Sequence, residues 1–197
     1  MRVLVVNGAY RNDGATDQLV EVVCRVLKQR GVETDELVLR DVDLGFCLNC
    51  RACTQQPGEE PGECVVRDAM GDIVRRIETS DAFVLASPTN AGSVTAVFRR
   101  LTERLVMYGY WPWGMAAPKY RKAGATKKKA VLIATCGAPG VLGGLVFSTQ
   151  KQLAATAKLI GAKVCGALFS GQHAQTPAVH LTPAQIKRAE RLAEKLL

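Results

Sequence analysis

Arg2-Val3-Leu4-Val5-Val6-Asn7-Gly8-Ala9-Tyr10-Arg11-Asn12-Asp13-Gly14-Ala15-Thr16 is the stretch on which the fold turns. Val3 to Asn7 is a continuous, mostly β-branched run that stops at Gly8. Beyond Thr16 the apolar residues Leu19, Val22, Val23, Val26 and Leu27 recur at helical spacing up to Gly31. The segment reads strand, glycine-bearing loop, helix.

The same unit repeats downstream. Glu33 to Leu39 predicts a second strand, Met70, Ile73, Val74 and Ile77 a second helix, and Ala82 to Ala86 a third strand, uniformly apolar as a strand buried on both faces is. Val94, Val97, Phe98, Leu101 and Leu105 predict a helix, Lys129 to Thr135 a fourth strand, Leu145 to Leu159 a helix, and Lys163 to Phe169 a fifth strand. A last helix follows Thr182, with Pro183 at its first position and Gln185 completing a capping box. Strands that alternate with helices must run parallel, because parallel neighbours need a crossover between them. Five such units predict an α/β, flavodoxin-like, doubly wound five-stranded parallel sheet of order 2-1-3-4-5 with helices on both faces. The whole chain, 1–197, reads as one domain. Two irregular stretches, 41–67 and 108–126, are far longer than the usual connection of two to six residues and so read as functional or mobile.

Composition agrees with this reading. The chain has 197 residues, 48% hydrophobic and 22% charged, enough to bury roughly 70% of its unfolded surface. That excludes a disordered, fibrous or disulfide-scaffold protein, and no apolar run approaches the ~18 residues of a membrane span. Met1-Arg2 leads directly into the first strand with no separate leader, which predicts a cytoplasmic protein. Seven cysteines there suggest metal or redox chemistry over disulfides. The net charge of +8 is concentrated in Lys119, Arg121, Lys122, Lys127, Lys128 and Lys129. With few aromatics interleaved, that run argues against nucleic acid as a partner.

In such a sheet, ligands bind outside the carboxyl ends of the strands. The loop after the first strand carries Arg11 and Thr16 at a helix start, where backbone N–H groups, a guanidinium and a hydroxyl together would hold a phosphate; an ordinary loop with Thr16 as helix cap is the alternative. The loop after the third strand, Ser87-Pro88-Thr89-Asn90-Ala91-Gly92-Ser93, exposes backbone groups suited to a planar ring. The loop after the fourth, Thr135-Cys136-Gly137-Ala138-Pro139-Gly140, is small enough for a flat cofactor to approach its backbone.

These loops resemble those of the flavodoxin-like NAD(P)H-dependent FMN reductases, in particular the branch of iron-sulfur flavoproteins. The phosphate-loop pattern G-S-P-R-x-x-G-N-T is matched by Gly8, Arg11, Gly14 and Thr16, with Ala9, Tyr10 and Ala15 departing from it. The ring-loop pattern S-P-x-Y-x-G-S is matched by Ser87, Pro88, Gly92 and Ser93, with Asn90 in place of the aromatic. The resemblance implies that FMN is held by Gly8, Ala9, Arg11, Ala15, Thr16 and Asp17 at its phosphate. Pro88, Thr89, Asn90, Ala91, Gly92 and Ser93 would meet its ring edge, and Thr135, Cys136 and Gly137 its pyrimidine end. It further implies that Cys47, Cys50 and Cys53, in CxxCxxC, with Cys64 before Val65-Val66-Arg67-Asp68-Ala69-Met70, are the ligands of a [4Fe–4S] cluster. A zinc site and structural or redox thiols remain the alternatives.

The leading expectation is an FMN-dependent oxidoreductase, reduced by NADPH or NADH, that passes electrons to a quinone, free flavin or another small acceptor. Its chemistry would be carried by the flavin without an obligatory acid or base. The alternatives are an electron carrier relaying single electrons between a [4Fe–4S] cluster and FMN, and a binding protein with a degraded flavin site. A homodimer or tetramer is expected, with the cysteine segment and Trp111-Pro112-Trp113 near subunit contacts or as a partial flavin lid. Cys24 and Cys165 read as core residues and Cys136 as a thiol bordering the flavin. His173 and His180 read as loop residues with no catalytic partner.

Overall fold

A computed structural model of the protein describes residues 1–125, 127–174, 176 and 178–197, and the backbone alone of Val141 and Leu142. Thr126, the end of the second irregular stretch, lies outside the described residues. The strands are β1 (Arg2–Asn7), β2 (Glu33–Val38), β3 (Ala82–Pro88), a short ribbon of β4 (Gly109–Tyr110) and β5 (Lys119–Tyr120), β6 (Lys128–Thr135) and β7 (Ala162–Ser170). The helices are α1 (Ala15–Gln29), α2 (Met70–Thr79), α3 (Ala96–Arg104), α4 (Gly140–Val146), α5 (Thr149–Leu159) and α6 (Pro183–Glu194). The five long strands form one parallel sheet of order β2-β1-β3-β6-β7, the expected doubly wound arrangement. No described helix is long and apolar enough to cross a membrane.

Alternation along the strands distributes the core between the faces. Val3, Val5, Val84, Val131 and Ile133 pack under α1 and α6, while Leu4, Val6, Phe83, Leu85 and Leu132 pack under α2, α3 and α5. Each such side chain contributes about 1.5–3 kcal/mol on burial. Register then brings the functional loops together. Asn7 pairs with Val38 and Ala86, Pro88 with Thr135, and Thr135 with Ser170, so the loops after β1, β3, β6 and β7 emerge along a single edge.

Two local expectations are corrected. The helix expected over Leu145 to Leu159 is two helices, broken at Phe147, whose backbone is extended. Ser148 there donates from both its N–H and its hydroxyl to the Gly92 carbonyl. That anchor turns the chain, and Leu145 and Val146 end exposed rather than in the core. The second irregular stretch is not structureless either, because β4 and β5 pair within it as an antiparallel ribbon.

Candidate cofactor site and cysteine loop

The loop after β1 is held from behind. Asn7 accepts the Ala9 N–H at 2.9 Å and donates to Asp17 at 2.5 Å, and Arg40 donates to the Ala9 carbonyl at 3.0 Å and to Asp17 at 3.4 Å. The Asp17 side chain is therefore a brace turned away from the expected phosphate, and only its backbone N–H remains for one. The cap of α1 is Gly14 and not Thr16, and no side chain caps the first turn. Gln18 is the first residue whose N–H returns to the helix, at the Gly14 carbonyl. A 15-residue helix thus begins with its positive end open to an anion. Gly8 lies behind the loop, against Phe98 and Thr95, whose hydroxyl donates to the Gly8 carbonyl at 2.7 Å.

This helix start opens into a cavity of about 220 Å3 lined by Ala9, Arg11, Gly14, Ala15, Thr16, Pro88, Thr89, Asn90, Thr135, Cys136, Gly137, His173 and Val179. Its floor is cross-linked, with Thr16 and Thr135 sharing a hydroxyl hydrogen bond at 2.8 Å and the Thr89 N–H donating to the Thr135 carbonyl at 2.7 Å. The Thr16 hydroxyl, expected to hold a phosphate, also bonds to Thr135 there. Ala91, Gly92 and Ser93 stand outside the cavity: with φ of +48° and +77°, Ala91 and Gly92 form a tight turn closed by reciprocal Asn90 and Ser93 hydrogen bonds. Gln152 donates to Ser93 at 2.7 Å and fixes that turn to α5. A wider open groove of about 960 Å3 runs between α1 and β2 and reaches Asn12 and Asp13 of the first loop.

His173, passed over in the sequence, borders the cavity because it follows β7 on the same edge. Burial pushes its pKa below the usual histidine value, which keeps the ring neutral at pH 7, and its Nε2 shares a 2.7 Å hydrogen bond with Ser170. The signal available was position alone, three residues beyond the end of the fifth long strand. Cys136 is buried, burial raises its thiol, and it donates to the Ala138 carbonyl. It is a packed thiol at the border of the cavity.

The cysteine loop lies over α2 and α3. Arg104, 2% exposed, donates to both Asp68 oxygens at 2.6 and 3.0 Å, to the Gly45 carbonyl at 2.9 Å and to Cys64 Sγ at 3.4 Å. Burial raises the Asp68 carboxyl, but Arg104 and the N–H groups of Met70 and Gly45 outweigh it and hold the group down at about 2. Both ends of the loop are thereby fastened to one guanidinium. Arg121 gathers its middle, donating to the carbonyls of Cys53, Gln56, Gly58 and Met107. Arg51, between Cys50 and Cys53, is sandwiched by Trp111 and Trp113 with its guanidinium 4.2 Å from each ring. Neither tryptophan lines the flavin-type cavity, so they form a clamp on this loop and no lid over that site.

Burial raises the Cys53 thiol, and charge on Cys64, Cys47 or Cys50 raises it further, so the four sulfurs share one neighbourhood. Among the described residues no three Cys, His, Asp or Glu side chains converge on one point as a single ion requires. A cubane takes one thiolate at each iron, and four thiols of one loop, with the Arg104 guanidinium beside Cys64, fit that group in ligand type and number. All seven cysteines are free. Cys24 is buried in the core with its thiol pushed up to about 12, whereas Cys165 is only half-buried.

The basic run is bonded within the chain, although Lys119, Lys127 and Lys129 stay exposed. Besides Arg121, Lys122 pairs with Glu78 at 2.6 Å, Lys127 donates to two loop carbonyls, Lys128 to the last carbonyls of α2, and Lys129 to those of Leu196 and Leu197. None of it borders the cavity.

A doubly wound parallel sheet whose carboxyl edge opens on an uncapped helix start defines a flavodoxin-like protein. The chain belongs to the NADPH-dependent FMN reductase family, which matches residues 1–176. It is 30% identical over 112 residues to an iron-sulfur flavoprotein of Archaeoglobus fulgidus, covering 57% of this chain and 49% of that one. It is also 30% identical over 104 residues to an iron-sulfur flavoprotein of Methanocaldococcus jannaschii, covering 53% and 51%. The chain therefore spans about half the length of the curated relatives it matches. The structure of an azoreductase from Bacillus anthracis shares the fold, with a TM-score of 0.68 at 16% identity over 99% of each chain.

Proposed function

We propose that the protein is an FMN-dependent oxidoreductase that takes reducing equivalents from NADPH or NADH and delivers them to a quinone, free flavin or another small acceptor. The observation that carries this is the cavity in which the uncapped start of α1 and Arg11 meet the loops after β3 and β6. FMN, when bound, supplies the hydride-accepting ring. The N–H groups of Ala15, Thr16 and Asp17 and the Arg11 guanidinium would hold its phosphate. Pro88, Thr89, Asn90 and the Thr135-Cys136-Gly137 backbone would meet the remainder. The cavity is smaller than the ~300–1,000 Å3 of sites that enclose a ligand, which supports a flavin held by its phosphate end with the ring accessible from solvent. Neutral His173 keeps a second positive charge off this edge at pH 7. The seven free thiols support work in a reducing compartment such as the cytoplasm. Titration with FMN tests the assignment: Arg11→Ala should bind ten- to a hundredfold more weakly, about 1.5–3 kcal/mol, and unchanged affinity would refute it.

The four thiols Cys47, Cys50, Cys53 and Cys64 in one loop, with Arg104 donating to Cys64, favour a second component, a [4Fe–4S] cluster that would supply one-electron transfer when bound. Anaerobic preparations should then hold about four irons and four acid-labile sulfides per chain, and Cys50→Ser should lose them while the sheet stays folded. A yellow, iron-free protein that oxidises NADPH would retain the reductase and remove the cluster.

A further inference from the structure

A second cavity lies beside Cys64, and the flavin reading leaves it unused. It measures about 520 Å3 and shares no lining residue with the cavity at the sheet edge. That volume falls within the ~300–1,000 Å3 of small-molecule sites. Two of its apolar contributors, Met70 at the start of α2 and Met107 in the turn after α3, are almost wholly buried. Cys64 and Gly62 form a wall, and Gly62 backs directly onto the cysteine loop: its N–H donates to the Met107 carbonyl at 3.0 Å, and a Cβ on it would stand 1.7 Å from the Cys53 carbonyl oxygen.

The charges near this cavity are already satisfied. Asp68 is consumed by Arg104, by the Met70 N–H at 3.0 Å and by the Gly45 N–H at 2.8 Å. Glu63 and Arg67 pair with each other at the exposed rim at 2.8 Å. A charged ligand would have to break one of these pairs, whereas a neutral apolar one would not. Methionine adds a specific preference, because its thioether contacts aromatic ring edges favourably and its unbranched chain adapts to the ligand's outline.

We propose that this cavity is a second small-molecule site, taking a neutral compound of one or two fused rings that seats its ring edge against Met70 and Met107 beside Cys64. The site shares no lining residue with the cavity at the sheet edge, so its test is separate from that of the oxidoreductase reading.

The full chain, labelled with methyl-13C methionine, would be titrated with 2,3-dimethyl-1,4-naphthoquinone, whose blocked ring carbons resist addition of a thiol. The four methionines supply an internal control, since Met1 and Met115 line neither cavity. The Met70 and Met107 methyl signals should move saturably while those of Met1 and Met115 stay in place. Gly71 lies at the rim, and a side chain added there meets open space, so Gly71→Trp should fill the cavity and weaken binding at least tenfold. If that variant melts early, Gly71→Leu serves in its place. Signals of Met70 and Met107 that stay still up to the solubility limit, four methionines that move alike, or undiminished binding to a folded Gly71 variant would each overturn the proposal.

Discussion

Arg104 shows how much one side chain can organise. Its guanidinium is buried against a 9% exposed Asp68 side chain, and it also reaches Gly45 and Cys64. Removing one member of a buried pair leaves the other charge uncompensated, at about 3–5 kcal/mol. Arg104→Met should therefore lower stability by that order in urea melts and loosen the cysteine loop to proteolysis. The pair also sets an acid dependence. The Asp68 carboxyl sits at about 2 in the folded protein, against ~3.9 for an unperturbed aspartate. Between those values the unfolded chain holds the extra proton, so the stabilisation is complete above about pH 4 and lost as pH falls towards 2. Asp68→Asn should accordingly be less stable at pH 7 yet decline less steeply below pH 4, and melts at pH 7, 4 and 2.5 would reveal parallel decline if the pairing were unimportant.

Among the elements, α3 links the fold to the cofactor edge through its cap. Thr95 accepts the Phe98 N–H, and its hydroxyl donates to the Gly8 carbonyl at the base of the first loop. Ser87, at the end of β3, accepts the Thr95 N–H. Replacing a threonine cap with alanine costs about 0.5–2 kcal/mol. Thr95→Ala should show that loss together with weaker FMN binding, because the same hydroxyl holds the loop. Thr95→Ser, which keeps the oxygen, should restore both. The cysteine loop has its own fixed point in Gly62, where a Cβ would collide with the Cys53 backbone at 1.7 Å. Since neither backbone can yield cheaply, Gly62→Ala should perturb thiol accessibility around Cys53 while leaving the sheet's circular dichroism intact.

At the scale of the whole molecule, the open helix start and the exposed cavity make cofactor binding a stabilising event. Free FMN at a hundred times its Kd should add about 2.7 kcal/mol. For a domain of this size that raises Tm by roughly 5–10 °C, and a thermal scan with no shift would contradict the flavin site. The cysteine loop leaves Phe46, Leu48 and Val65 exposed near its thiols, and Trp113 is exposed beyond the Arg51 clamp. Apolar residues in such numbers call for a cover. We expect a homodimer or tetramer, and light scattering that returned a 21.2 kDa particle at micromolar concentration would exclude one.

Strand order, the buried strands and the three loops at the carboxyl edge were legible in the chain because hydrophobic period, glycine and proline act locally. Val3 to Asn7 followed by Gly8 means strand and turn wherever it occurs. The fates of the polar side chains were decided only by tertiary structure. Nothing local distinguishes Arg104, buried against Asp68 at a separation of 36 residues, from the exposed arginines of the surface. The pairing of Thr16 with Thr135 across 119 residues likewise joined a hydroxyl of the first loop to the end of β6. Asp17 became a brace, Arg121 turned inward onto carbonyls, and His173 reached the cavity by following β7. In each case the outcome depended on which distant groups could satisfy a buried charge or hydrogen bond, and sequence periodicity carries no record of such partners.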